Sequence, residues 1–230
     1  MPCTAKKYEA KRLELSGTGY PDVDAVITTR ELARMIKEAG IEFAELQDEE
    51  FDELLGESTG AGVIFGATGG VMEAALRTAY EIMTGQVLED VNFTAVRGVE
   101  GIKEATIKVG SMDVNVAVAH STSQAAKLLD LIRTTGVKYH FIEIMGCPGG
   151  CVNGGGQPIV PSSIRSFTDI RVQRAQTLYH ADEVKMIRKS HENPQIKALY
   201  EDYLKSPNSH RAHQLLHTSY EQKPKYRKQG

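Results

Sequence analysis

Hydrophobic residues recur along this chain with two different periods, and the change of period marks out the elements. Val114, Val116 and Val118 alternate with small or polar positions up to His120, the period of two expected of a strand. From 123 to 135 the spacing becomes helical, with Ala126, Leu129 and Ile132 on one stripe, and Gly136 ends the helix. Tyr139 to Met145 reads as a strand again. Two strands joined through a helix predict a parallel crossover, and hence an α/β fold with a parallel sheet flanked by helices.

Upstream, Asp22 to Thr28 alternates loosely as a short strand. Thr28 and Glu31 have capping-box spacing and open an amphipathic helix with Leu32, Met35, Ile36 and Ala39 on one side and Gly40 at its end. An acidic helical stretch follows around Asp48 to Leu55. The apolar run within Gly60 to Gly70 reads as strand and Gly-rich turn leading into a helix from about Val71 to Thr84. That turn lacks the Lys-Ser/Thr of a phosphate loop, and no acidic ribose contact follows it, so it packs a helix and does not bind a nucleotide. Residues 92 to 109 hold a second glycine turn at Arg97 to Ile102, then alternating Ile107 and Val109. From Arg171 onward the chain is polar and free of strand signals, with helices expected at Asp182 to Ser190, Pro194 to Leu204 and Ser209 to His217. His210, His213 and His217 share a face of the last helix, but no carboxylate joins them at ligand spacing, so they read as a solvated face.

The loop from Met145 to Pro158 breaks every period. Six glycines and two prolines in fourteen residues exclude a helix or strand interior. Cys147 and Cys151 lie in it, at the carboxyl end of a strand, where open α/β sheets hold their ligands. With Cys3 they are the three cysteines of the chain, each in a short Gly-, Pro- or Lys-rich stretch instead of an apolar run. An odd count in such loops argues against packing or a disulfide framework and leaves metal binding or reactive thiols. Glycine backbone lets N–H groups approach cluster sulfurs closely.

Composition narrows the class further. The chain has 230 residues, 41% hydrophobic and 25% charged, with a net charge of −3. That is ordinary for a globular protein and gives no basic footprint for nucleic acid beyond the solvated Lys223, Lys225, Arg227 and Lys228. No apolar run reaches the ~18 residues of a membrane span, and no signal-peptide pattern opens the sequence, so a cytoplasmic location is expected.

The segments MPCTAKKYEA at 1–10 and FIEIMGCPGGCVNGGGQP at 141–158 resemble two of the three signature motifs of the FeFe (iron-only) hydrogenases. IFGATGGVMEAALRTAYE at 64–81 and VRGVEGIKEA at 96–105 are similar to the same family, and SHRAHQLLHTSY at 209–220 looks like its small-subunit helical segment. The resemblance implies residues 1–165 as a partial catalytic domain, one lobe of the whole, and 166–230 as a helical, small-subunit-like extension. It implies the H-cluster as cofactor: a 4Fe-4S cluster bridged through a cysteine thiolate to a two-iron subcluster carrying CO, cyanide and a dithiolate. Cys3, Cys147 and Cys151 would be thiolate ligands, Cys151 the bridging one. Lys6 would hydrogen-bond a cyanide, a charge-assisted bond contributing about 1.5 to 3 kcal/mol, where the residues alone suggest a surface pair with Glu9. Met1, Met145 and Phe65 would line the pocket. The implied activity is reversible reduction of protons to dihydrogen, with ferredoxin or another electron carrier as partner.

Two departures stand out. Gly146 occupies a position where the family usually has alanine, and the family's first motif, a Cys-Cys-Pro segment with the fourth cluster ligand and a proton-relaying cysteine, has no counterpart. The expectation is a C-terminal portion of a hydrogenase, inactive alone, whose fourth cysteine comes from an N-terminal half or partner subunit. A hydrogenase-like (Narf-like) iron-sulfur assembly protein without catalysis is the alternative. Thr4-Ala5 before Lys6-Lys7 favours the hydrogenase, because the assembly homologues tend to carry a bulky residue and an acid there.

Overall fold

In the computed structural model, residues 3–49, 52 and 55–222 are described. The organising element is a three-stranded sheet in the order β1-β2-β3, formed by β1 (Ile102–Val109), β2 (Met112–His120) and β3 (Phe141–Met145). β2 and β3 run parallel, from Val116 opposite Phe141 to His120 opposite Met145, and α5 (Thr122–Thr135) makes the expected crossover. β1 differs from the all-parallel expectation. It pairs antiparallel with β2 from Ile102 opposite Ala119 to Val109 opposite Met112, because the two-residue connection through Gly110 is too short for anything but a hairpin.

Alternation along β2 separates two cores. Val116 and Val118 face Met72 and Leu76 of α4 (Gly70–Thr84), together with Val96, whereas Ala117 and Ala119 face Leu128 of α5. The small alanines let α5 lie close, and both faces of the central strand are covered. The buried stripe of α5 is not the expected Ala126 and Leu129, which are exposed. It runs through Leu128, Leu131 and Ile132, a rotation that follows from where the sheet lies. α4 buries a second face as well. Glu73 and Arg77, one residue on from Met72 and Leu76, are 0% exposed and turn toward α7 (Ile170–Glu183).

Other expectations changed with context. Residues 22–28 form no strand, since among the described residues no neighbouring backbone offers them a ladder; the Thr28 capping box of α2 (Thr29–Glu38) is as expected. The apolar face of α2 stays open, with Leu32 46% and Met35 52% exposed. Around Asp48 to Leu55 the described residues are not helical. Gly60–Ile64 is a short helix, α3, and not a strand: the Thr59 side chain caps Gly62 N, and the N–H groups of Gly60 and Ala61 donate to Ile187 O and Arg188 O at 2.8 and 3.1 Å. After the single turn α6 (Ser162–Arg165), α7 starts at an Asp169 cap and ends at Glu183, so the helix expected at 182–190 is displaced upstream. Residues 185–189 are non-helical instead, and the Arg188 carbonyl accepts from Arg77. Beyond them lie α8 (Pro194–Leu199), continued by a π turn to Leu204, and α9 (His210–Leu216), close to expectation. Among the described residues, no helix is long and apolar enough to cross a membrane.

Candidate metal-cluster site

β3 ends at Met145 and delivers the chain into the glycine loop, which is tied down from three sides. The turn between α3 and α4 holds it through Thr68 N–H to Gly149 O at 3.2 Å and Val152 N–H to Gly66 O at 3.0 Å. From α7, Arg174 donates to Val152 O and Pro158 O at 2.9 and 2.8 Å. From α2, Arg30 donates to Gly155 O at 3.0 Å. Gly150 has φ +98, and a Cβ there would stand 2.6 Å from Thr68 N, so conformation and contact both demand glycine.

Cys3 reaches the loop from α1 (Thr4–Glu9), for which it is the N-cap residue. It is 7% exposed, and a Cβ on Gly154 would lie 3.0 Å from Cys3 Cβ and 3.2 Å from Cys151 O. Glycine at 154 is what allows the two segments to touch. All three cysteines are unbridged, with Cys147 and Cys151 half-buried. Burial first, and then the neighbouring sulfurs of Cys3 and Cys151, push the Cys147 thiol up, while the Lys6 ammonium pulls it down. Lys6 donates to Glu9, and that bond holds its ammonium above the usual lysine range against partial burial. The Glu9 charge and the sulfurs of Cys151 and Cys3 add to the effect. Three thiols and one ammonium therefore share one electrostatic neighbourhood.

The sulfurs are not gathered for a single ion. Among the described residues, the set whose donor atoms all lie within 4.8 Å of one another is Glu81, His191 and Glu192, not the cysteines. A tetrahedral zinc centre with Zn–S bonds of ~2.3 Å brings its sulfurs within about 4 Å of each other. Three thiols that perturb one another without all lying within 4.8 Å are not a preformed zinc centre, and thiolates are the donors an iron-sulfur cluster takes. The Glu81 group already holds a cation. Lys189 Nζ lies 2.6 Å from Glu81 and 2.8 Å from Glu192, which makes it an ion-pair cluster. The rings of His213 and His217 stack at 4.1 Å.

The remaining expected site residues are less gathered. Met145 is half-buried at the end of β3, and Phe65 sits just after α3 with 45% of its surface exposed. Met1 lies outside the described residues, as do Lys223, Lys225, Arg227 and Lys228. Sequence reasoning missed Arg30, Arg174, Lys103 and Glu143. Lys103 and Glu143 are buried polar residues under the α3–α4 turn, and their strand patterning was legible while their partners were not.

An α/β sheet that presents three free thiols around a glycine loop offers the donor chemistry of the iron-sulfur class of proteins. The family model for the C-terminal domain of the iron-only hydrogenase large subunit matches residues 1–155, and that for the iron hydrogenase small subunit matches residues 168–223. The chain belongs to the iron-only hydrogenase family. It is 54% identical over 220 residues to the NADP-reducing hydrogenase subunit HndD of Solidesulfovibrio fructosivorans, covering 96% of this chain and 37% of that protein. It is 50% identical over 220 residues to iron hydrogenase 1 of Clostridium pasteurianum, covering 96% and 38%. A solved [FeFe]-hydrogenase from Chlamydomonas reinhardtii superposes with a TM-score of 0.74 at 42% identity, covering 96% of this chain and 62% of that one. Protein NAR1 of Arabidopsis thaliana is 31% identical over 234 residues, covering 96% and 48%. The chain thus spans less than two-fifths of the length of the two hydrogenases compared by sequence.

Proposed function

We propose that this chain is part of the catalytic domain of an iron-only hydrogenase that reversibly reduces protons to dihydrogen, and that Cys3, Cys147 and Cys151 are three ligands of its H-cluster. The seating of Cys3 against Gly154, beside the loop of Cys147 and Cys151, carries this reading. When bound, the H-cluster supplies the redox chemistry, its 4Fe-4S part relaying electrons to a two-iron part with CO, cyanide and dithiolate ligands.

The protein's own residues hold, orient and shield. Cys151 would be the ligand shared by the two parts. Lys6 binds an anion of the cofactor. Its pair with Glu9 is 51% exposed on the lysine side and contributes little, so exchanging it for a buried anion is inexpensive. Met145 and Phe65 would line the pocket of the two-iron part. Residues 1–165 supply this lobe, and residues 166–230 form the small-subunit-like extension, whose Arg174 steadies the cysteine loop.

With three cysteines in 230 residues, the fourth ligand comes from another segment or subunit, and this polypeptide alone does not evolve dihydrogen. Ferredoxin is the proposed electron carrier, and three unbridged thiols suit a cytoplasmic setting. The similarity to NAR1 supports a second reading, an iron-sulfur assembly protein that holds a cluster without catalysis.

Two measurements test this. Anaerobically reconstituted protein should bind iron, and Cys3→Ser, Cys147→Ser and Cys151→Ser should each lower the iron content; unchanged content overturns the ligand assignment. Dihydrogen evolution with a reduced dye should require maturation together with a polypeptide carrying the Cys-Cys-Pro segment. Turnover by this chain alone overturns the shared-site reading, and iron binding without turnover in the reconstituted pair favours the assembly protein.

A further inference from the structure

The peptide unit joining Thr68 to Gly69 is gripped at both ends by buried charge. Its carbonyl accepts from Lys103 Nζ at 3.2 Å, and its N–H donates to Glu143 Oε1 at 2.6 Å. Both side chains are secured by a second backbone contact: Lys103 donates to Gly98 O at 2.8 Å, and Glu143 Oε2 accepts from Met72 N at 2.7 Å. Lys103 comes from β1 and Glu143 from β3, and they are 9% and 5% exposed. Gly69, the N-cap residue of α4, has no side chain to satisfy the first N–H groups of the helix, so Glu143 caps the helix from the sheet. The neighbouring Thr68 N–H is the group that donates to Gly149 O, midway between Cys147 and Cys151.

We propose that Lys103 and Glu143 are a positioning pair for the cysteine loop: by fixing the Thr68–Gly69 peptide they anchor Thr68, whose own N–H, in the preceding peptide, holds Gly149 and so sets where Cys147 and Cys151 stand. Two opposite charges within one fold compensate each other across the peptide they orient, and removing either leaves the other buried and poorly compensated. Cys3, delivered by α1, meets the loop at Gly154 and not at the Thr68–Gly149 bond. The purpose of the device rests on the cluster reading above; its geometry does not.

The test uses the reduced, metal-free full chain and follows iodoacetamide labelling of each thiol by mass spectrometry. Lys103→Met and Glu143→Gln should each raise labelling of Cys147 and Cys151 relative to Cys3 by about tenfold, through local opening of the loop. Lys103→Arg, which keeps the cation, should stay within about twofold of the parent, as should Lys108→Met on an exposed position of the same strand. Glu143→Asp keeps the charge with a shorter reach and gives an intermediate rise, which serves where Glu143→Gln does not fold. Leu128→Ala, under the opposite face of the sheet, provides a globally destabilised reference. A selective rise in the two clamp variants and not in Leu128→Ala at matched melting temperature supports the proposal. An unchanged ratio to Cys3, or the same rise in Leu128→Ala, overturns it. Iron content of the cysteine variants is a separate readout, so the cluster reading can fail while the clamp stands, and the reverse.

Discussion

Arg77 and Asp182, 105 residues apart in sequence, meet in a two-pronged ion pair with both N–O distances at 2.8 Å and neither side chain exposed to solvent. Glu73 and Arg188 complete the group at 2.8 and 2.6 Å, and Arg97 reaches Glu73 at 2.6 Å. This network joins α4 of the large-subunit match to α7 of the small-subunit match. Asp182→Asn leaves the buried Arg77 and the partly exposed Arg188 short of charge and should cost about 3 to 5 kcal/mol. The urea unfolding midpoint measures it. The double variant Arg77→Met, Asp182→Leu, which removes both charges, should lose distinctly less than Asp182→Asn, because the buried Glu73 keeps Arg97 and the cation left without its carboxylate, Arg188, is partly exposed.

The glycine loop contains positions of opposite tolerance. Gly150→Ala places a methyl group against the backbone of Thr68 at φ +98 and should destabilise the chain by about 1 to 3 kcal/mol. Gly146 has nothing within 4 Å of where its Cβ would sit, so Gly146→Ala should change stability by no more than about 0.5 kcal/mol. Thermal melting of the two variants, with iron uptake after reconstitution, should separate them: both quantities fall for Gly150→Ala and neither for Gly146→Ala.

Burial pulls the Lys103 ammonium down to about 8 from its ordinary 10.5, against the opposing pull of Glu143 and Glu100. Between those two values the unfolded chain holds more protons than the folded one, so this group makes stability rise with pH from about 8 to 10.5. Below about 8 the folded protein carries the whole cost of a buried charge. Tyr139, held up at about 12 by burial and by its bond to Glu104, acts in the opposite sense above its ordinary value of 10. The difference in unfolding free energy between the parent and Lys103→Met isolates the lysine. That difference should shift in favour of the parent between about pH 8 and 10, by an amount on the order of 1 to 3 kcal/mol.

On the acid side, the hydrogen bond from Lys189, together with Leu88 N–H and His191, holds Glu81 down at about 2. Its contribution is present above the unfolded value near 4.5 and is lost as pH falls toward 2. Glu81→Gln should therefore flatten the fall in melting temperature between about pH 4.5 and 2, while lowering stability at neutral pH.

The elements legible in the sequence were those whose pattern is local. The alternation of Val114, Val116 and Val118, the Thr28 and Glu31 capping box, and the glycine stops at 40 and 136 are satisfied within a few residues of themselves, and the structure keeps them. The candidate site was legible through its chemistry, since three cysteines outside any apolar period have few uses other than metal. The misses share a physical cause. The run at 60–66 is equally compatible with a strand or a helix, and the 185–189 segment settled it by accepting the N–H groups of Gly60 and Ala61. Residues 22–28 had the alternation of a strand and, among the described residues, no strand to pair with. Hydrophobic period alone placed the α5 stripe one residue off, because the stripe is defined by where the sheet lies.

Sequence alone therefore determined the α/β class, the crossover from β2 to β3, and the loop that carries Cys147 and Cys151, because spacing, glycine content and thiol chemistry are properties of adjacent residues. Tertiary structure alone decided that Cys3 abuts Gly154, that Arg174 and Arg30 brace the loop, and that Lys103 and Glu143 grip the peptide beneath it. Those contacts join residues tens to more than a hundred positions apart, and whether a lysine or a glutamate is buried, and against what, depends on how helices and sheet close around it and not on its neighbours in the chain.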